Sequence, residues 1–226
     1  MQEGLYENVA DNIKGAKIGR EFKKDYLTPE QVKLVLSGIN QDSLKGIRDY
    51  AMIALMVTGG LRTIEVSRAN IGDIRLNGGN MVLYVEGKGA DEKSAYIKLT
   101  KPVHEAIKKY LEMRYSNAEY KNVDPLFAST SNNNTGGRMT TKSISETVKK
   151  CFEWVGLKSD RLTAHSLRHT AVTLILKEGK KAGIIDILEQ ARQVARHAKI
   201  ETTLIYAHHI DREENIGEEL VANVIF

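Results

Sequence analysis

Apolar residues recur at helical spacing over much of the chain. The run Thr28-Pro29-Glu30-Gln31 predicts a helix start, because its threonine can cap the helix, its proline suits the first turn and its glutamine completes a capping box. A second helix is predicted from about Ser43, and it closes at Gly59-Gly60, where glycine suits a helix C-terminus. Helical spacing returns at 102–115 and from 139 to the end of the chain.

Two β-rich runs interrupt the helical pattern, at 81–85 and 95–99, with a glycine-containing stretch at 86–91 between them. They predict a small antiparallel sheet with a loop, whereas 117–137 is rich in loop residues. The expected fold class is therefore mainly α with a small antiparallel β-sheet, an α+β architecture.

The first 26 residues are polar and show no sustained apolar period, so we interpret 1–26 as a linker or arm. Residues 27–226 are expected to form one domain that ends in a tail helix. In this tail, an apolar stripe could fold back onto its own core or serve another protomer. The stripe is Leu220, Val221, Val224 and Ile225.

Composition narrows the class of protein. A hydrophobic share of 42% can fill a core, and the net charge of +4 is compatible with a polyanionic partner. The single cysteine, Cys151, excludes a disulfide framework within one chain and is interpreted as a core side chain. No long apolar run or signal-like N-terminus is present, so no membrane contact and a cytoplasmic location are expected.

One predicted helix carries His165, Arg168 and His169 on neighbouring positions. His165 and Arg168 lie three residues apart and share a face, which suits a site but is also common on a solvated surface. A zinc interpretation is open as well, since the two histidines are spaced i, i+4. Ser166 stands where a zinc protease motif has its catalytic glutamate, which weakens that alternative.

Two further motifs stand upstream and downstream of this helix. Upstream is Gly60-Leu61-Arg62-Thr63-Ile64-Glu65, and downstream His197 precedes Thr202-Thr203-Leu204-Ile205-Tyr206-Ala207-His208. Three such boxes in this order, with a lysine on the predicted sheet between the first two, resemble the tyrosine recombinase or phage integrase family. The resemblance runs from about 27 to 210.

The resemblance implies a role for six side chains. Tyr206 matches the nucleophile, Arg62 and Arg168 match two phosphate-binding arginines, and Lys88 matches a mobile general acid, with Lys93 as the rival candidate in the same loop. The implied catalytic set is Arg62, Lys88, His165, Arg168, His197 and Tyr206.

These residue types also suit phosphoryl transfer without the family. Planar guanidinium groups match the non-bridging oxygens of a phosphate, and a tyrosine with a pKa of about 10 needs a base and nearby cations. We expect His165 to be that base, His197 to donate to a non-bridging oxygen and Lys88 to protonate the departing 5′-oxygen. Glu65, one turn after Arg62, could orient that arginine or be an ordinary helix residue.

The expected function is site-specific DNA recombination through a 3′-phosphotyrosine intermediate, in integration or excision of a bacterial or phage mobile element. No cofactor or metal is expected. The expected partners are double-stranded DNA, further copies of the chain in a tetramer joined by the tail, and accessory DNA-bending proteins.

The chain departs from the pattern of the family in two places. Arg196 stands where the family has glycine before its second histidine, and it could add a phosphate contact. The family's N-terminal core-binding domain has no counterpart before residue 27, which suggests a catalytic fragment, and a natural short protein is the alternative. Other open readings are an inactive DNA-binding module of the same fold, a type IB topoisomerase-like enzyme and a helical scaffold with coincidental motifs.

Overall fold

The computed structural model describes residues 25–86, 93–116 and 118–226. Helices form most of this part of the chain, together with one small sheet, so the predicted α+β class is confirmed. The elements are α1 (Pro29–Ser37), α2 (Leu44–Gly59), α3 (Thr63–Arg68), β1 (Ile74–Asn77), β2 (Asn80–Val85), β3 (Ala95–Lys98), α4 (Lys101–Tyr115), α5 (Thr141–Trp154), α6 (Ala164–Lys181), α7 (Ile187–Ala195), α8 (Ile200–Glu213) and α9 (Gly217–Ile225). The proposed arm, 1–26, lies outside the described residues except for its last two.

The first two helices begin and end as their sequences predict. The Thr28 hydroxyl accepts a hydrogen bond from the Gln31 amide at 3.3 Å, and the Gln31 side chain accepts one from the Thr28 amide at 2.9 Å. Ser43 caps α2 by accepting from the Gly46 amide at 3.1 Å. Gly60 ends α2 with a φ of +57°, a left-handed conformation that glycine adopts without strain.

The sheet has the order β1-β2-β3 and is antiparallel throughout. Leu83 lies at its centre, opposite Ile74 on one side and Ile97 on the other. Strands β2 and β3 confirm the two predicted runs, whereas β1 was not predicted. A turn at Gly78-Gly79, with φ of +54° and +78°, joins β1 to β2 and suits a two-residue hairpin.

The main core surrounds α2, which packs against α4 and α6. Met52, Leu55 and Met56 are fully buried there because the α2 sequence is apolar around most of its circumference. Cys151 on α5 belongs to the same core, and its burial raises the pKa of the thiol to about 12. Its interpretation as a core side chain is confirmed.

A second, smaller core joins α6, α7 and α8. Helix α6 therefore contributes to both cores and fixes the last helices against the rest of the domain. The buried members of the second core are Val172 and Leu176 on α6, Ala191 and Ala195 on α7, and Tyr206 and Ile210 on α8.

The segment before α1 is tied to the same helices. Leu27 is fully buried, and its amide donates to the Thr170 hydroxyl at 2.8 Å. Tyr26 donates to the Glu213 carboxylate at 2.7 Å, while Lys177 donates to both of these side chains at 2.9 Å. These bonds connect the start of the domain to the C-terminal end of α8.

Helix α9 forms the tail, and its apolar stripe is exposed rather than folded back onto the core. The exposed fractions of Leu220 and Val224 are 57% and 87%. Separately, the described helices include none with the length and apolar character needed to cross a membrane.

Candidate active site

Arg62 lies in the site directly after the turn that ends α2. Gly60 reverses the chain, Leu61 is buried beneath the turn, and Arg62 stands at the start of α3. The carboxylate of Glu65 then bonds Arg62 twice, accepting from its backbone amide at 2.7 Å and from its Nη1 at 2.9 Å. Glu65 is fully buried, so it orients Arg62 and is not an ordinary surface residue.

Arg168 lies on α6 and is 99% buried, with 1% of its surface exposed. Its guanidinium donates to the carbonyl of Gly60 at 2.7 Å and to the carbonyl of Ala195. Removal from water, followed by the positive charges of Arg62 and Arg196, lowers the pKa of Arg168 to about 9. The group is still a cation at neutral pH, held by carbonyl dipoles at the junction of α2 and α7.

His165 and His169 lie one turn apart on α6, and their ring centroids are 4.7 Å apart, edge to face. His165 is exposed along part of its surface, whereas His169 is buried. Partial removal from water and the charges of Arg168 and Arg62 lower the pKa of His165. Burial and the neighbouring His165 and Arg168 lower the pKa of His169 to about 4.

His197 follows the last turn of α7 and is fixed by Thr203 on α8. Its Nδ1 lies 2.9 Å from the Thr203 hydroxyl, which is itself fully buried. Burial, together with the charges of Arg168 and Arg62, lowers the pKa of His197 to about 4. The ring is therefore neutral at neutral pH, and Thr203 sets its orientation.

Tyr206 lies on α8 with 5% of its surface exposed. Its ring centroid is 5.1 Å from that of His169 and 6.0 Å from that of His197, with the latter pair nearly parallel. Burial raises the pKa of Tyr206 to about 12, although the charges of Arg168 and Arg62 lower it. The phenol therefore lies close to two histidines and within the electrostatic field of both arginines.

The structure thus brings together Arg62, His165, Arg168, His197 and Tyr206, which the sequence places in three distant boxes. The sixth predicted residue, Lys88, lies outside the described residues, so its role stays a prediction. Its rival Lys93 donates to the Asp73 carboxylate at 2.5 Å and to the Arg68 carbonyl at 3.0 Å. These two bonds hold the Lys93 side chain against the end of α3 and the residue before β1.

Positive charge exceeds negative charge in this site. Arg62, Arg168 and Arg196 act on one another electrostatically, and Glu65 is the one carboxylate hydrogen-bonded to any of them in the described ranges. An anion between the exposed part of Arg62 and the histidines would be attracted by the remaining charge. Over the same ranges, no group of three or more His, Cys, Asp or Glu side chains is arranged to hold a metal ion.

Sequence reasoning missed three contributions to the site: His169 beside Tyr206, Thr203 beside His197, and Arg196 beside Glu65. Each depends on a contact between separate elements. The spacing of His197 and Thr203 within one box was visible, but it did not indicate that the hydroxyl would bond the ring.

A sequence model described as the phage integrase family matches residues 25–213. The chain therefore belongs to the phage integrase family, which confirms the resemblance seen in its three boxes. Curated relatives carry the name tyrosine recombinase XerC. That of Chlamydia muridarum is 30% identical over 202 residues, which cover 89% of this chain and 59% of the relative. That of Caldanaerobacter subterraneus is 32% identical over 188 residues, covering 83% and 48% respectively.

The chain therefore spans between about half and three fifths of the length of these relatives. Solved structures support the fold. XerH site-specific recombinase bound to palindromic difH substrate has a TM-score of 0.70 at 22% identity, covering 96% of this chain and 60% of that one. The Tn1549 transposon integrase in complex with transposon right end DNA has a TM-score of 0.59 at 18% identity, covering 91% and 69%.

The two buried histidines predict that the folded domain loses stability on acidification. Both have folded pKa values of about 4, below the ordinary value of 6.5, so the unfolded chain takes up protons first as pH falls. The contribution of the two neutral histidines to the free energy of unfolding is present above pH 6.5 and is lost towards pH 4. Each histidine accounts for a loss on the order of 2–3 kcal/mol. Urea unfolding at pH 7 and pH 4.5 measures the loss.

The control for this prediction is a variant in which His169→Gln and His197→Gln are combined. Its free energy of unfolding should depend less on pH than that of the intact chain, while the exposed His208→Gln should leave the dependence unchanged. An equal pH dependence in all three proteins would show that these histidines do not carry the effect.

Proposed function

We propose that the chain is the catalytic domain of a site-specific DNA recombinase, which cleaves and rejoins strands through a 3′-phosphotyrosine at Tyr206. The observation that carries this proposal is a buried phenol that lies beside two histidines and within the electrostatic field of two guanidinium groups, those of Arg62 and Arg168. A tyrosine packed only for stability needs no cation cluster around it. A tyrosine that attacks a phosphate does.

Double-stranded DNA is the proposed substrate. A phosphodiester has two non-bridging oxygens, and guanidinium groups match such oxygens geometrically. The solved structures that share this fold include the XerH recombinase bound to its difH substrate and the Tn1549 integrase in complex with transposon right end DNA. We place the activity in the bacterial cytoplasm, in the integration or excision of a mobile element.

The proposed chemistry conserves the energy of the broken bond. The Tyr206 oxygen attacks phosphorus, the bond from phosphorus to the 5′-oxygen breaks, and the phenolic proton passes to His165. His169, with a pKa of about 4, would be a weak base at neutral pH, which favours His165 on the same helix. His197 donates to a non-bridging oxygen, and Lys88 protonates the 5′-oxygen. Attack by a 5′-hydroxyl reverses these steps, so no cofactor is required.

Tyr206→Phe should abolish the covalent adduct and leave DNA binding nearly unchanged, because it removes one hydroxyl and little packing surface. The assay uses biotinylated duplexes of randomised sequence that carry a nick in one strand, so that the short 5′-hydroxyl product leaves and the adduct persists. Adducts that survive denaturation are captured and sequenced, which also gives the preferred site.

The matched control is Tyr120→Phe, which removes the hydroxyl of an exposed tyrosine in the loop after α4. It should form the adduct at the rate of the intact chain. Adduct formation by Tyr206→Phe would refute the nucleophile, and absence of an adduct from the intact chain on every sequence would refute the proposed function.

The general acid can be tested by changing the leaving group. Lys88→Ala should slow cleavage of an ordinary 5′-oxygen by 100-fold or more, within the usual range for general acid catalysis, but should spare a 5′-thio substrate, whose leaving group needs no proton. Lys93→Ala is the matched control, because Lys93 is paired with Asp73, and it should affect both substrates equally. If Lys88→Ala slows both substrates alike, Lys88 binds phosphate instead of acting as an acid.

For assembly, we propose that α9 joins protomers into a tetramer on DNA, where accessory DNA-bending proteins could assist. Its apolar stripe is exposed and needs a partner surface.

Leu220→Ser combined with Val224→Ser should weaken multi-protomer assembly at least tenfold on the DNA site recovered by sequencing. Mass photometry measures this assembly. The double variant should still form the adduct at a single site. Leu76→Ser, on exposed β1, is the control. Unchanged assembly of the double variant would exclude α9 as the connector.

A further inference from the structure

Arg196 occupies a backbone conformation that is unusual for its residue type. It ends α7 with a φ of +53°, in the left-handed region where a side chain with a β carbon is strained. Glycine, which the family motif has at this position, would adopt this conformation without strain. An arginine is therefore accommodated here only if the contacts of its side chain offset the strain.

Those contacts use every nitrogen of the guanidinium. Its Nε and Nη2 donate to the two carboxylate oxygens of Glu65, at 3.2 Å and 2.7 Å. Its Nη1 donates to the carbonyls of Gly59 at 3.1 Å and Val194 at 2.5 Å, and Nη2 also donates to Gly60 at 3.0 Å. All three nitrogens of Arg196 are thus hydrogen-bonded within the protein, and its side chain is 10% exposed, which favours a structural role over the phosphate contact expected from its sequence position.

The partners of Arg196 are shared with Arg62 and Arg168, the two arginines proposed to bind phosphate. The Glu65 carboxylate also accepts from Arg62, through Nη1 at 2.9 Å and the backbone amide at 2.7 Å. The Gly60 carbonyl also accepts from Arg168 at 2.7 Å. Without Arg196, the fully buried Glu65 carboxylate would keep Arg62 as its one hydrogen-bonded cation among the described residues, and would draw that side chain towards itself.

We infer that Arg196 is a positioning residue, which holds the Glu65 carboxylate from one side so that Glu65 can fix Arg62 without withdrawing it from the phosphate. This inference rests on the proposed function, because it assumes that Arg62 binds the reacting phosphate. It links the loop before His197 to the turn after α2, two of the three sequence boxes.

The electrostatics of Glu65 agree with this arrangement. Burial raises the pKa of the carboxyl group, but the hydrogen bonds and charge of Arg196, followed by those of Arg62, lower it below its ordinary value overall. Glu65 also interacts electrostatically with Arg168 on α6. Removal of Arg196 leaves the effect of burial in place and takes away the strongest opposing contact, so the pKa of Glu65 should rise.

The first test needs no catalytic activity. The side-chain carboxyl groups of glutamate are labelled with ¹³C, the Glu65 signal is assigned with Glu65→Gln, and its titration is followed by NMR. Arg196→Gly, which also relieves the backbone strain, should raise the proton affinity of Glu65 at least tenfold. Arg196→Lys should raise it less, since lysine keeps the charge but cannot bond both oxygens in one plane.

The second test separates positioning from DNA binding. On nicked duplexes of the recovered sequence, Arg196→Gly should reduce the rate of adduct formation at saturating protein at least tenfold and change the affinity for DNA less than twofold. The loss should grow as pH falls, because Glu65 of the variant takes up a proton more readily than Glu65 of the intact chain and a neutral carboxyl group no longer fixes Arg62. Lys108→Ala removes one exposed cation on α4 and is the control for charge alone.

The outcomes are distinct. An unchanged Glu65 titration in Arg196→Gly overturns the inference, and so does weaker DNA binding with an unchanged rate at saturation, which would make Arg196 a direct DNA contact. If the intact chain forms no adduct, the proposed function fails, while the titration still decides whether Arg196 controls Glu65. Should Arg196→Gly not fold, Arg196→Lys carries both measurements.

Discussion

The buried carboxylate of Glu65 allows three arginines to coexist at the centre of the domain. Arg62, Arg168 and Arg196 repel one another in surroundings of low dielectric constant, and that repulsion contributes to the lowered pKa of Arg168. Glu65 bonds Arg62 and Arg196 directly, while Arg168 depends on the carbonyls of Gly60 and Ala195. Because one carboxylate does not neutralise three cations, the site retains an affinity for an anion such as a phosphate.

The same cluster determines how the helices meet. Its members come from the turn after α2, from α6 and from the end of α7, so bonding them fixes these elements together. Helix α8 then packs on α6 and α7 through Tyr206 and Ile210, which makes the proposed nucleophile a core residue. That burial raises the pKa of Tyr206 to about 12, so the phenol is protonated at neutral pH and the proposed attack requires a base.

The sequence was sufficient to predict those features of the structure that depend on neighbouring residues, such as helix caps and turns. The Ser43 cap and Gly60 turn predicted the limits of α2, and the three boxes predicted the residues that meet at Tyr206. Strand β1 was missed because it has four residues, mostly exposed, although the Gly78-Gly79 turn was a usable signal. The Arg196 contact with Glu65 could not be predicted, since the two residues are 131 positions apart and their pairing exists only after folding.

The central claim is that Tyr206 becomes joined to a 3′-phosphate of DNA. The most direct test is to identify which amino acid and which phosphate are linked in the adduct. Trypsin should release residues 200–212, in which Tyr206 is the one tyrosine, and nuclease digestion should leave a short nucleotide on it. Mass spectrometry is expected to find this peptide linked through a 3′-phosphate, with a free 5′-hydroxyl on the departing strand. Attachment to another residue, or through a 5′-phosphate, would contradict the account.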